Sequence, residues 1–218
     1  MKTFLIALIL FFYTGLLFAQ EDTYITTSAR VAGVSYKAIY KSSDWSISIV
    51  KNGGKVVLHL GTAERYDEGF SSFKFVDFNG DGYQDLLIEY MSNIPGRCDL
   101  LMYNGYTRSF ELVKDFPNYP VPKRLRGTGL YYSYSRGGCA DADWNSDLFK
   151  VVNNKIVKMG NMCGQGCGDG KTGIYIFKMR GTKKTQVKAY PINDIYKHKN
   201  NKWGFIKEYW SRNYRRFM

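Results

Sequence analysis

The segment Asp77-Phe-Asn79-Gly-Asp81-Gly82-Tyr83-Gln-Asp85 constrains this chain most, because it lies between two apolar, strand-like runs, Phe73–Val76 and Leu86–Tyr90. Counted from Asp77, oxygen-bearing side chains stand at positions 1, 3, 5 and 9, and a glycine stands at position 6. Residues two apart in a tightly wound loop all point inward, and Gly82 takes a backbone turn that a side chain would block. A hard cation of calcium's size needs about 6–8 oxygens at once. The spacing therefore predicts a Ca2+ site made of Asp77, Asn79, Asp81, the backbone carbonyl of Tyr83, and Asp85. The same residues also suit a solvated Asx-rich turn. Position 12 is Ile88 rather than the bidentate glutamate of an EF-hand, and the chain continues there as a strand. With no histidine or second carboxylate cluster beside it, the predicted role of the loop is structural.

Strand signals recur along the chain. Trp45–Val50 alternates with period two, Lys51-Asn-Gly-Gly54 is a turn, and Lys55–Leu60 returns, which is a hairpin by pattern. Cys98–Tyr103 turns at Asn104-Gly105 into Phe110–Val113, and Asp147–Val152 turns at Asn153-Asn154 into Lys155–Met159. Val31–Tyr40, Tyr131–Ser135, Ile174–Met179 and Thr185–Tyr190 are further strands, whereas Glu21–Arg30 reads as a frayed leader. Loops are expected over 61–71, over the Pro-rich, basic 115–127 and over the glycine-rich 160–173. With 18 tyrosines and 17% aromatics, the composition suits pleated, half-buried surfaces. The expected fold is all-β: an antiparallel meander forming one propeller-like or sandwich-like domain, with the cation loop between strands. From Trp203 to Met218, Ile206, Tyr209, Trp210 and Phe217 follow helical spacing, interleaved with Lys202, Lys207, Arg212, Arg215 and Arg216. Such a stripe suits a terminal amphipathic element docked on the sheet, or a basic aromatic surface for anionic partners.

Residues 1–19 read as a secretory signal peptide: Lys2, an apolar stretch from Phe4 to Phe18, and a cleavage site at Leu17-Phe-Ala19. Residues 20–218 then form one exported domain, periplasmic or secreted, with no further apolar run long enough to span a membrane. Its four cysteines, Cys98, Cys139, Cys163 and Cys167, are expected to form two disulfides in an oxidising compartment. The Cys163/Cys167 loop either closes on itself, leaving Cys98 to pair with Cys139, or is pinned to both other sites. The formal net charge of +12, one unit of which leaves with Lys2, favours anionic partners. Export excludes nucleic acid from among them.

The Asp77–Asp85 loop, closing on an aspartate and running into a strand, resembles the calcium loops of FG-GAP repeats. The order of VDFNGDGYQDLLIEY, LLMYNGYTRSFELVKDFPNYP and YYSYSRGGCADADWNSDLFKVVNNKIVKMG resembles, from Phe73 to Met159, a family of bacterial periplasmic calcium-binding β proteins. That family is related to lysozyme inhibitors and to immunity proteins against peptidoglycan hydrolases. The resemblance implies a protein-binding inhibitor that plugs the cleft of a lysozyme-like cell-wall hydrolase. It points to the turn Tyr134-Ser135-Arg136-Gly137-Gly138, whose arginine would meet a catalytic carboxylate. The four cysteines and the basic C-terminus lie outside the matched pattern. A basic inhibitor is repelled at long range by a basic lysozyme. The alternative is a surface module that binds an anionic glycan or envelope polymer.

Catalysis is not expected. His59 sits in an alternating strand and His198 in a basic run, and the sequence carries no nucleophile elbow, zinc-protease or phosphate-loop motif. Asp141 and Asp143 are paired carboxylates whose spacing specifies no glycosidase geometry.

Overall fold

Short hairpin turns make the chain fold back on itself repeatedly, and the computed structural model, which describes residues 22–61, 69–167 and 170–218, accordingly contains three antiparallel sheets. The first sheet is a meander of β1 (Tyr24–Val31), β2 (Val34–Lys41), β3 (Ser46–Lys51) and β4 (Lys55–Gly61). The second is β5 (Phe70–Val76), β6 (Asp85–Tyr90), β7 (Cys98–Asn104) and β8 (Ser109–Leu112). The third collects β9 (Lys123–Leu125), β10 (Leu130–Tyr132), β11 (Ser135–Arg136), β12 (Trp144–Val152), β13 (Lys155–Gln165), β14 (Gly173–Arg180) and β15 (Lys183–Tyr190). Its order is β15-β14-β13-β12-β10-β9, with β11 also paired to β12. None of the sheets closes into a barrel. The fold is all-β and sandwich-like, as expected. Residues 1–19, read above as a signal peptide, lie outside the described residues, as do 62–68 of the polar loop.

The sheets stack face to face. Tyr36, Ala38, Ile47 and Ile49 of the first sheet meet Phe73, Leu86, Ile88 and Leu101 of the second in one core. The alternate side chains of the second sheet, Leu87 and Leu100, join Tyr131 and Phe149 of the third in another. The middle sheet is therefore covered on both sides. That is why β6 and β7 carry continuous apolar runs rather than alternation. Each fully buried Leu or Ile there contributes about 1.5–3 kcal/mol relative to exposure.

The other face of the third sheet is covered by the C-terminal helix, Lys202–Asn213. Phe205, Ile206, Tyr209 and Trp210 are its buried residues, so the amphipathic segment is docked. The Trp210 indole N–H donates to the buried Ser146 hydroxyl of β12 at 2.9 Å. Gly160 makes room for this packing: a Cβ there would lie 2.9 Å from the Phe217 ring and 3.0 Å from Trp210. Gly164 similarly admits Trp144, whose ring would stand 2.1 Å from an added Cβ.

Several local expectations change. The described part of Glu21–Arg30 is not a frayed leader, because β1 pairs fully from Tyr24 with β2 across Ala32-Gly33, both with positive φ. The expected loop over 160–173 begins as strand, since β13 runs on to Gln165 with its glycines beneath aromatic rings. The 115–127 loop contains a 3-10 turn, Phe116–Asn118, and strand β9. Tyr131–Ser135 is split between β10 and β11.

Candidate functional site

The Asp77–Asp85 loop joins β5 to β6, and its shape is set by its own side chains. Asp77 accepts the backbone N–H of Gly80 at 2.6 Å and of Gly82 at 3.1 Å. Asn79 accepts from Asp81 at 3.0 Å, and Asp81 accepts from Tyr83 at 2.8 Å. Gly80 and Gly82 supply positive φ, +73° and +91°, where a side chain would be strained. Asp85 is wholly buried and accepts the N–H of Tyr103 at 2.8 Å and of Phe78 at 3.0 Å. Burial pushes its carboxyl up to about 6, with the Asp81 charge adding to the shift while these N–H groups oppose it. Phe78 stacks on Tyr131 with centroids 4.7 Å apart, tying the loop to the third sheet.

The donors are hard oxygens, the chemistry that calcium takes. Asp77 and Asp81 point toward the loop backbone, whereas Asp85 turns inward as a bracket between β6 and β7. Among the described residues, the trio of His, Cys, Asp and Glu donor atoms that gathers within 4.8 Å is Cys139, Asp143 and Cys167, not Asp77, Asp81 and Asp85.

The Tyr134–Gly138 segment is less of a projecting loop than the sequence suggested. Tyr134 is buried, and its hydroxyl donates to Asp141 at 2.5 Å. Ser135 and Arg136 form β11, paired with Asn145 and Trp144. Gly137 packs against the Asp143 backbone, to which it donates at 2.7 Å, and Gly138 opens a turn. Within that turn Cys139, Ala140 and Asp141 have φ of 55°, 50° and 73°, a left-handed conformation disfavoured for residues bearing a Cβ. Lys202 donates to both the Asp141 carboxylate and its backbone oxygen. Although burial pulls the other way, the hydrogen bonds from Lys202 and Tyr134 hold the Asp141 carboxyl below the usual range. Arg136 remains exposed.

One disulfide is present, Cys139–Cys167, a pairing that pins the Cys163/Cys167 segment to one other site only. Cys98 and Cys163 are free thiols, which corrects the expectation of two disulfides. The cause is where the strands place them. Cys98 is enclosed among apolar side chains between the second and third sheets, and that burial pushes its thiol up to about 12. Cys163 sits on β13 opposite Asn145 and Tyr175, away from the Cys98 core.

A groove, not evident from the sequence, runs between the β9–β10 hairpin and the C-terminal helix. One stretch of about 800 Å³ is lined by Lys123, Arg124, Arg126 and Lys207, with Tyr132 and Tyr214. A second stretch of about 340 Å³ shares Lys123, Tyr132 and Lys207 and adds Lys199 and Trp203. Register explains the arrangement: Lys123 lies beside Tyr132 and Leu125 beside Leu130, so the leucines enter the core while Lys123 and Tyr132 reach past it to the rim. Among the described residues, no acidic side chain lines the first stretch. Glu208 lines the second, where it pairs with His198 at 3.2 Å and Arg212 at 3.4 Å. The residues come from segments some 75 positions apart, and only their interleaving of cations with aromatics hinted at the groove.

No family model and no curated protein matches the chain. A solved structure described as a Xanthomonas Type IV Secretion System related protein is similar, with a TM-score of 0.48 and 12% identity over 75% of this chain and 93% of that one. These comparisons do not support the resemblance to lysozyme inhibitors. No helix among the described residues is long and apolar enough to cross a membrane.

Proposed function

We propose that this chain is an exported binding module that holds an anionic envelope polymer in the groove between the β9–β10 hairpin and the C-terminal helix. The observation that carries this is the cationic, aromatic lining: Lys123, Arg126 and Lys207 around Tyr132 and Tyr214, without an acidic residue among the described residues of the larger stretch, while the Arg124 guanidinium reaches Gly80 of the Asp77–Asp85 loop instead. A volume of about 800 Å³ falls within the range of small-molecule clefts. Lysine and arginine donate to carboxylate or phosphate, and the aromatic walls take the apolar faces of sugar rings. Export rests on the leader sequence and agrees with the Cys139–Cys167 disulfide, a bond that persists in oxidising compartments. Ca2+ in the Asp77–Asp85 loop would brace the β5–β6 turn through Asp77, Asn79, Asp81 and the Tyr83 carbonyl, while Asp85 locks the turn to β7. The chain's role is binding rather than catalysis.

Inhibition of a lysozyme-like hydrolase through Arg136 is the competing function. A plug needs a convex tip, whereas Arg136 lies in a two-residue strand and lines a concavity. The two separate in one experiment. Purified protein in calcium buffer is offered immobilised acidic polysaccharide, neutral polysaccharide and a panel of lysozyme-type hydrolases, with enzyme activity assayed. Retention on the acidic polymer, lost at moderate salt and in a Lys123→Ala/Arg126→Ala/Lys207→Ala variant, supports the module. Salt-resistant capture and inhibition of a hydrolase, relieved by Arg136→Ala, supports the inhibitor instead.

A further inference from the structure

We infer that the pocket at the far end of the groove is a subsite for a single acidic sugar, a pyranose bearing one carboxylate or phosphate group. The inference rests on the polymer-binding function proposed above and specifies what the site would read in such a polymer. The pocket, about 340 Å³, lies among Val121, Tyr134, Arg136, Ala140, Asp141 and Trp203, and it meets the groove through Val121, Tyr134 and Trp203.

Its parts have distinct roles. Trp203 is 45% exposed although it stands in the first turn of a helix whose core face is already filled by Phe205, Ile206, Tyr209 and Trp210. The indole is backed by Tyr134, with ring centroids 3.8 Å apart. Tyr134 is in turn fixed by the hydrogen bond from its hydroxyl to Asp141. The aromatic wall is therefore rigid and open on one side, which suits stacking of a sugar ring. Arg136 is held at its backbone by pairing with Trp144, and its exposed side chain makes no hydrogen bond or ion pair with the described residues. The nearby Asp141 carboxylate is hydrogen-bonded by Lys202 and Tyr134 and acts on Arg136 only through space, so among the described residues the guanidinium donors stay free for a ligand. A planar guanidinium beside a ring-stacking wall matches a bidentate carboxylate or phosphate on a sugar.

The opposite wall is the left-handed turn at Cys139, Ala140 and Asp141. Three residues with a Cβ occupy a conformation that costs each about 1–2 kcal/mol. The turn is kept in that shape by the Cys139–Cys167 disulfide and the Lys202 hydrogen bonds. Backbone strain held in place by remote partners clusters at ligand sites. Here it brings Ala140 and Asp141 to face Trp203 across the pocket.

The test is a titration of the full exported chain, followed by tryptophan fluorescence and calorimetry, with a glucuronate-containing tetrasaccharide, glucose 6-phosphate and maltotetraose. One of the acidic ligands is expected to bind about tenfold more tightly than the neutral one, the effect of one charged hydrogen-bonded contact. Arg136→Ala should abolish that preference, Arg136→Lys should restore part of it, and Trp203→Ala should weaken every ligand. Lys183→Ala, exposed on β15 and outside both groove and pocket, should leave every ligand within about twofold of wild type. Preference for glucuronate or for the phosphate tells which acidic group is read. Equal binding of acidic and neutral ligands overturns the inference. So does binding of the long acidic polymer without any of the short ligands, although the groove function then stands. Binding of neither polymer nor short ligand overturns both.

Discussion

Two turns in this molecule solve the same conformational problem in opposite ways. In the Asp77–Asp85 loop, positive φ falls on Gly80 and Gly82, and Asp77, Asn79 and Asp81 each accept an N–H two to five residues further on. In the Gly138–Asp141 turn, positive φ falls on Cys139, Ala140 and Asp141, and the shape is held by Cys167 and by Lys202, 61 positions from Asp141. The first turn is specified by its own residues and the second is imposed by the tertiary structure. A loop of the first kind survives changes elsewhere in the protein. A turn of the second kind, and the pocket it walls, fails when a distant partner is removed.

That contrast can be broken by mutation. The largest effect should come from Cys139→Ser/Cys167→Ser. Opening a bond with a sequence separation of 28 should lower unfolding free energy by about 3 kcal/mol in urea titrations, and reductant should do the same to wild type. Asp85→Ala should follow, at about 2 kcal/mol, because the buried N–H of Tyr103 and the part-buried N–H of Phe78 lose their acceptor, and here reductant should add its own separate loss. Additivity between the two variants, measured by a double-mutant cycle, would show that the turns are independent.

Lys202→Met should cost about 1 kcal/mol near neutral pH, less than a fully buried pair because Asp141 is partly exposed. It should also change the pH dependence. The folded-state pKa of Asp141 is lowered, so its contribution is present above the ordinary aspartate range and is lost as pH falls through the folded value. The variant should therefore lose less stability than wild type on acidification below about pH 4. Carbon-detected titration of Asp141 would report the matching rise in its pKa. The smallest structural change, Asp81→Ala, should lower the melting temperature more in calcium than in EDTA, where only the exposed hydrogen bonds from Tyr83 and Asn79 are lost. Equal losses in both buffers would contradict calcium in the Asp77–Asp85 loop.

What the sequence made legible follows the same division. The β3–β4 hairpin was readable because Lys51-Asn-Gly-Gly54 lies between alternating runs, and the middle sheet because its strands are apolar on both faces. The shape of the Asp77–Asp85 loop was visible for the same local reason. Strand β1 was missed because, as an edge strand with an exposed face, it carries Thr and Ser where apolar residues would have signalled pairing. Gly160 and Gly164 looked like loop residues, since the rings of Phe217, Trp210 and Trp144 that need the space belong to other elements. Pairing of Cys139 with Cys167 depends on how β12 and β13 place their ends, which cysteine spacing does not encode. The groove was illegible for the strongest reason, because neither the β9–β10 hairpin nor the C-terminal helix contains it alone.

The most direct measurement is the affinity for an acidic polysaccharide as a function of salt, for wild type and for the Lys123→Ala/Arg126→Ala/Lys207→Ala variant. If the groove holds an anionic polymer, wild-type affinity falls steeply with rising salt, and the variant binds weakly with a much shallower dependence. Wild type and variant with the same affinity and the same slope would contradict the account.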